Sequence, residues 1–298
     1  MRLPEGSQGA SGKAAAHLST FAPPAPERDL NLRQNLNPRQ AHARSVPGPQ
    51  QAHGRSATGR PAQMRVAFFP GYALNCCVMQ IDIVSDTVCP WCFIGKRRLE
   101  RALAARPERA VEVGWRPFQL NPDLPAEGMD RAEYVAQKFG KERAQRIYDT
   151  IRSAGEEVGI PFAFDAIRRM PSTLRSHQLI RWAGGAGVQD QVVEALFQSF
   201  FLKGEDIGAD SVLAEIAAAA GMDRALVLDL LARDADAELV RAEDQVARDM
   251  GIAGVPCFII NRKYALSGAQ DPAVFLQVFD LAEREEEAAA KTPSTVEG

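Results

Sequence analysis

The segment Cys89-Pro90-Trp91-Cys92 constrains the fold of this chain more than any other feature. Residues 80–84 before it alternate polar and apolar side chains, as a half-buried strand does. From Pro90 onward, apolar side chains recur at helical spacing. The cysteine pair therefore lies where a strand passes into a helix, and the chain needs a strand–loop–helix unit at this point.

Each residue of this segment has a chemical reason for its place. Cys89 is expected at the helix N-cap and Pro90 in the first turn, where a missing N–H costs nothing. Free N–H groups and the helix dipole stabilise a thiolate there, and can lower a cysteine pKa from about 8.5 to roughly 3.5–7.5. Cys92, one turn on, can close a disulfide or resolve a mixed one. We therefore expect an exposed nucleophile at Cys89, a buried resolving thiol at Cys92, and Trp91 as an apolar wall.

Two other uses of the pair would be structural. A structural zinc site has four ligands, and only Cys257 and His177 remain in the part of the chain predicted to be ordered. A structural disulfide is expected in secreted proteins, yet the chain shows no cationic start followed by an apolar segment and a cleavage site. We therefore expect a cytoplasmic protein with a redox-active pair, no metal and no cofactor.

The remaining periodicity predicts one discontinuous domain interrupted by helices. After the first helix we expect a strand at 111–118, and near the end two strands at 256–261 and 263–267, joined by a tight turn at Asn261-Arg262. A closing helix is expected over 272–286. Between these groups the predicted helices are 131–139, 142–158, 173–184, 190–202, 211–220, 224–232 and 235–250.

This order is typical of an α/β protein with a thioredoxin-like fold and an inserted all-helical domain. The thioredoxin-like domain is predicted over 79–122 and 251–288, and the helical insertion over 123–250. Residues 1–78 are predicted to be a disordered extension and 289–298 a disordered tail.

The first 78 residues differ from the rest in composition and charge. They are rich in Pro, Gly, Ser, Gln and Ala, and carry nine basic and three acidic residues, whereas the remainder has a net charge of −9. The extension faintly resembles an organelle transit peptide; it is otherwise a floppy tail, or the product of a start codon placed upstream of Met79. The acidic main part argues against nucleic-acid partners. No apolar run reaches about 18 residues, so no membrane span is expected.

A second feature, Val255-Pro256, supports redox chemistry. A proline just before a strand must begin that strand or lie at an edge of the sheet. In a thioredoxin-like fold this position holds a cis-proline beside the cysteine turn, an arrangement that few X–Pro bonds adopt. The alternative is a proline that only begins the strand.

Four stretches resemble the DsbA-like oxidoreductases, specifically the FrnE-type branch: 81–92, 115–122, 251–256 and 267–270. The resemblance covers about residues 79–279. It implies a thioredoxin fold with a helical insertion, an active site at Cys89 and Cys92, and a cis-proline at Pro256. Its relatives include 2-hydroxychromene-2-carboxylate isomerases and kappa-class glutathione transferases, which typically have Ser at the position of Cys89.

The intact cysteine pair favours a thiol–disulfide oxidoreductase over these relatives. The expected partners are thiol or disulfide substrates, protein or small molecule, with glutathione among the candidates. The alternatives are a glutathione-dependent isomerase or transferase and a non-catalytic, redox-sensing module. The sequence does not give the direction of exchange, because that depends on the relative stability of the two redox forms.

Four further sites carry two interpretations each. Cys257 either joins the exchange or packs as a small apolar side chain. His177 is either a proton shuttle or a histidine of the helix surface or core. Trp115 and the cluster Phe197–Phe200–Phe201 belong to the core or line an apolar substrate groove between the two domains.

Overall fold

The computed structural model describes Ser19–Thr20 and residues 78–291. The predicted disorder of the extension therefore falls outside the described residues, except at Ser19–Thr20 and Val78. The elements in chain order are β1 Ser19–Thr20, β2 Met79–Ser85, α1 Pro90–Ala104, β3 Val111–Pro117, β4 Met129–Asp130, α2 Arg131–Phe139, α3 Lys141–Glu157, β5 Arg169–Met170, α4 Leu174–Gly185, α5 Gln189–Gln198, α6 Asp210–Ala219, α7 Arg224–Ala232, α8 Ala237–Asp249, β6 Cys257–Ile260, β7 Tyr264–Ser267 and α9 Pro272–Lys291.

One mixed sheet joins strands from both ends of the described chain. Its order is β1-β7-β6-β2-β3, with β2 and β3 parallel and the other neighbours antiparallel. Parallel strands need a crossover, and α1 supplies it between β2 and β3. Helices α2 to α8 lie between β3 and β6 in the sequence, so the structure is an α/β thioredoxin-like fold with a helical insertion.

The two faces of the sheet pack against different apolar clusters. Ile83 and Phe258 belong to a large cluster that continues through α1 and α9 into the inserted helices. Cys257 and Ile259 belong to a smaller cluster that includes Ala247 of α8. Successive residues of a strand point to opposite faces, which is why Phe258 and Cys257 separate in this way.

Several boundaries differ from those expected. The helix expected over 190–202 ends as α5 at Gln198 and continues as a π-helical segment, Ser199–Lys203, which carries two buried phenylalanines. Helix α9 runs to Lys291, three residues into the predicted tail, and 292–298 lie outside the described residues. The two-residue strands β4 and β5 pair with each other, and are too short to show an alternation in the sequence.

No helix in the described part of the chain combines the length and the apolar character that a membrane span requires.

Candidate active site

Two backbone hydrogen bonds fix the cysteine segment at the start of α1. Cys89 is the N-cap residue with an extended backbone, and Pro90 is in the first helical turn. The Cys89 amide donates to the Asp86 carbonyl at 3.1 Å, and the Cys92 amide donates to the Cys89 carbonyl at 3.0 Å. Neither bond needs the proline nitrogen, so this proline is compatible with the start of the helix.

The two cysteines of the pair are not joined in a disulfide in this structure, and both are buried. Cys89 is 4% exposed and Cys92 is 1% exposed, so the expectation of an exposed Cys89 is wrong. Its position at the N-cap was correct, but the thiol is covered because it donates to the Val255 carbonyl at 3.6 Å. Cys89 still lines a cavity, whereas Cys92 does not.

Burial raises the pKa of the Cys92 thiol well above its ordinary value, and a hydrogen bond with Cys89 raises it further. The Ser85 side chain and the Asp86 backbone act in the opposite direction but do not reverse the effect. Cys92 is therefore a neutral thiol at pH 7, as a resolving cysteine must be until a mixed disulfide forms beside it.

The loop opposite the pair comes from the far end of the domain. The Val255–Pro256 peptide bond is cis, and the Pro256 carbonyl accepts from the Gly268 amide at 2.7 Å. Helix α1 approaches this loop closely at Gly95, where a Cβ atom would lie 3.0 Å from both Pro256 Cγ and Phe258 Cζ. The absence of a side chain at this point lets α1 and the loop hold Cys89 and Val255 together.

Two buried polar pairs join the loop before Cys89 to α4. The Thr87 hydroxyl shares a hydrogen bond of 2.8 Å with Ser176. Asp86 accepts from the Leu120 amide through Oδ2, while its Oδ1 lies 3.5 Å from His177 Nε2. These last two atoms are buried without a hydrogen-bond partner. His177 is thus in the core and not on the helix surface, and its contact with Asp86 could not be predicted because the two residues are distant in sequence.

A cluster of charges attaches α5 to α1. Lys96 is 4% exposed and forms ion pairs with Glu100, with Asp190 at 3.1 Å and with Glu194 at 3.2 Å. Burial alone would lower the pKa of Lys96, but the hydrogen bond to Glu100 and the three negative charges raise it above its ordinary value. Trp115 donates to Asp190 through Nε1 at 3.0 Å, so it belongs to the core contact between β3 and α5.

A cavity of about 270 Å³ opens beside Cys89. Trp91 forms part of its wall, as expected from the sequence, and Phe200 and Phe201 line it from the π-helical segment. Phe197 instead stacks on Phe93 with ring centroids 5.1 Å apart, inside the core. All three phenylalanines are therefore buried, and Phe200 and Phe201 also line the cavity.

Cys257 packs in a different apolar cluster from the cysteine pair. It is 2% exposed, packs in the smaller apolar cluster, and its pKa is raised by burial. Cys89 and Cys92 belong to the larger cluster, so packing is the interpretation that the geometry favours. Among the described residues, no three His, Cys, Asp or Glu side chains are grouped as a metal site would require.

The fold places the chain among the thioredoxin-like proteins, and comparisons with known proteins identify its family. The profile of the DSBA-like thioredoxin domain matches residues 80–280. The chain belongs to this family. It is 33% identical to a probable DsbA oxidoreductase from Streptomyces coelicolor, with a TM-score of 0.65, over 74% of this chain and 94% of that one.

Two more distant relatives also match the chain. The uncharacterized protein YwbO of Bacillus subtilis is 27% identical over 66% of this chain and 94% of its own length. A 2-hydroxychromene-2-carboxylate isomerase has a TM-score of 0.53 at 14% identity, over 72% of this chain and 100% of that one. At that identity the likeness shows the fold alone.

Proposed function

We propose that this protein catalyses thiol–disulfide exchange through Cys89 and Cys92. The observation that carries the proposal is the arrangement of the two thiols. Cys89 caps α1, contacts both Cys92 and the Val255 carbonyl, and borders a cavity. A nucleophilic thiol needs this access, and a resolving thiol needs to lie beside it without access of its own.

In the reducing direction, the Cys89 thiolate attacks one sulfur of a substrate disulfide. The substrate S–S bond breaks, a mixed disulfide forms, and the first substrate thiolate takes a proton from solvent. Cys92 then loses its proton to solvent and attacks the Cys89 sulfur. The second substrate thiolate leaves, so the substrate gains two electrons and the Cys89–Cys92 pair loses two. The same steps in reverse oxidise a dithiol.

The branch of the family and the location in the cell are two further parts of this proposal. Membership in the FrnE-type branch is supported by the four stretches of resemblance, which include Cys89-Pro90-Trp91-Cys92. A cytoplasmic location is supported by the five cysteines of the chain, too few and too unevenly spaced for a disulfide scaffold.

The test is to trap the intermediate. Reduced Cys92→Ser protein, mixed with glutathione disulfide, should accumulate a glutathione adduct on Cys89, located by peptide mapping, which separates it from adducts on the other cysteines. The wild-type protein should instead form the Cys89–Cys92 disulfide and keep no adduct on Cys89. Cys257→Ser serves as the matched control, because it removes a buried thiol outside the pair and should behave as wild type.

Two outcomes would contradict the proposal. If Cys92→Ser acquires the adduct no faster than Cys89→Ser, Cys89 is not the nucleophile. If Cys89→Ser keeps full activity in a glutathione-dependent isomerase assay, the isomerase alternative takes its place, since that chemistry does not need the cysteine pair.

A further inference from the structure

The cavity beside Cys89 has a composition that selects its ligand. Its walls are mostly aromatic and aliphatic: Trp91 comes from the cysteine segment, and Tyr134, Tyr148 and Phe164 come from the inserted helices. Apolar walls with a few polar groups are typical of small-molecule sites. The aromatic faces favour a flat, apolar ligand, since ring–ring contacts contribute beyond the area that they bury.

The charged groups of this cavity are both positive. Arg131 and Lys138 line it, and no acidic residue does. Among the residues that the structure describes, neither cation forms an ion pair, although many other arginines and lysines do. Lys138 donates to the neutral Asn121 side chain at 2.6 Å, and Arg131 lies 4.9 Å from the Tyr148 ring centroid.

The lack of a carboxylate partner for these two cations contrasts with the acidic composition around them. The part of the chain that follows residue 78 has a net charge of −9, so carboxylates are in excess as partners. Two cations at one cavity without a carboxylate between them create a local positive potential, and arginine in particular matches the geometry of a carboxylate or similar anion. An anionic group on a ligand would give both cations a partner of opposite charge.

The Tyr148 hydroxyl fits the same ligand. Burial raises the pKa of Tyr148 above its ordinary value, and the nearby Arg131 charge only partly opposes this. Tyr148 is therefore a neutral hydroxyl and a hydrogen-bond donor at pH 7. Tyr134 is buried and already donates to Asn121 at 3.0 Å, which fixes the same amide that Lys138 contacts. The donors at the polar side of the cavity are thus Arg131, Lys138 and the Tyr148 hydroxyl.

The volume limits the size of the ligand. A cavity of about 270 Å³ lies just below the lower end, about 300 Å³, of the range for sites that enclose drug-sized molecules. It accepts one substituted aromatic ring but not a folded protein segment. The nucleophilic sulfur of Cys89 is at its wall, so a bound disulfide would present one sulfur to Cys89 while its ring occupies the cavity.

We propose that the preferred substrate is a small aromatic disulfide, or the corresponding thiol, whose ring carries an anionic group bound by Arg131 and Lys138. This inference rests on the proposed function, because Cys89 must exchange with the bound sulfur. In the reducing direction Cys89 displaces one aromatic thiolate, Cys92 then displaces the second, and the Cys89–Cys92 disulfide is formed. Two electrons pass from the protein to the substrate, and two protons pass to solvent.

The experiment compares two aromatic disulfides that differ in charge. Reduced protein is mixed in a stopped-flow instrument with the anionic disulfide of thionitrobenzoate or with neutral dipyridyl disulfide, and thiolate release is followed by absorbance. Each rate is divided by that of dithiothreitol with the same reagent, which removes intrinsic reactivity. We expect the normalised anionic-to-neutral ratio of wild type to exceed one by roughly tenfold, and that of the Arg131→Gln/Lys138→Gln variant to fall close to one.

A matched variant and the neutral reagent keep the outcome interpretable. Arg146→Gln removes one exposed charge from α3 outside the cavity lining, and should leave the ratio unchanged. An unchanged rate with dipyridyl disulfide shows that the double variant is folded and keeps its thiols. A wild-type ratio near one, an unchanged ratio in the double variant, or an equal fall in Arg146→Gln would overturn the inference. If wild type reacts with neither reagent faster than Cys89→Ser, the proposed function itself fails.

Discussion

Replacing either of two glycines by alanine should change the stability of the protein, but in opposite directions. Only one of the two lies where α1 closely approaches the loop before β6. Gly95 is buried in α1, and an added Cβ would meet Pro256 and Phe258 at 3.0 Å. Phe258 cannot withdraw easily, because it is fully buried and packs edge-on against Phe275 with centroids 4.8 Å apart. Gly185, the last residue of α4, has nothing within 4 Å of the same added atom.

The magnitudes follow from two opposing effects. Overpacking a well-packed core costs about 1–3 kcal/mol, while alanine in place of glycine in a helix contributes about 1 kcal/mol. The Gly95→Ala variant should therefore lose about 1 kcal/mol of unfolding free energy, which lowers Tm by about 2–4 °C in a domain of this size. The Gly185→Ala variant meets no overpacking and should gain up to about 1 kcal/mol.

The assay is thermal unfolding of the reduced protein followed by circular dichroism, with the two variants measured beside wild type. A second readout is the alkylation rate of Cys89, which should rise in Gly95→Ala because α1 moves away from the loop that carries Val255. Gly185→Ala should leave that rate unchanged. The reasoning is refuted if Gly95→Ala melts at or above the wild-type temperature while Gly185→Ala is also stabilised.

Two further predictions concern the buried thiols. Burial raises the pKa of Cys92 and of Cys257, so the unfolded chain, with thiols near pKa 8.5, releases these protons first as the pH rises. The urea midpoint of the reduced protein should therefore be constant below about pH 8 and fall above it, and a midpoint that rises there would contradict the assignment. Cys257→Ala should lose about 1 kcal/mol of unfolding free energy and flatten the alkaline fall, yet keep the wild-type exchange rate with glutathione disulfide; a slower rate would place Cys257 in the reaction.

The local parts of the fold could be predicted from the sequence. Helices α2 and α7 have the expected boundaries, because each begins after an aspartate whose side chain accepts a hydrogen bond from an amide of the first turn. The turn between β6 and β7 was expected at Asn261-Arg262, and both residues have positive φ, 51° and 55°. The connection is one residue longer than a two-residue hairpin, because Ile260 pairs with Tyr264.

The parts that could not be predicted depend on contacts between distant residues. The N-cap position of Cys89 follows from its neighbours, but its burial depends on Val255, which is 166 positions away. Asp86 and His177 face each other from a loop and from the inserted helices. The cavity exists because separate helices leave a space between their apolar sides, and periodicity indicates such a side without showing what covers it.

Because the strands of the sheet are far apart in the sequence, the active site can form only late in synthesis of the chain. Ile81 of β2 pairs with Ile260 of β6, so β2 has no antiparallel neighbour on β6 until the helical insertion and β6 have been synthesised. At roughly 5–20 residues per second, the 166 positions between Cys89 and Val255 take about 8–33 s to synthesise. Throughout that interval the nascent chain carries both cysteines without the carbonyl that later covers Cys89. Any messenger truncated before codon 255 would yield a polypeptide whose cysteine pair lacks that cover permanently.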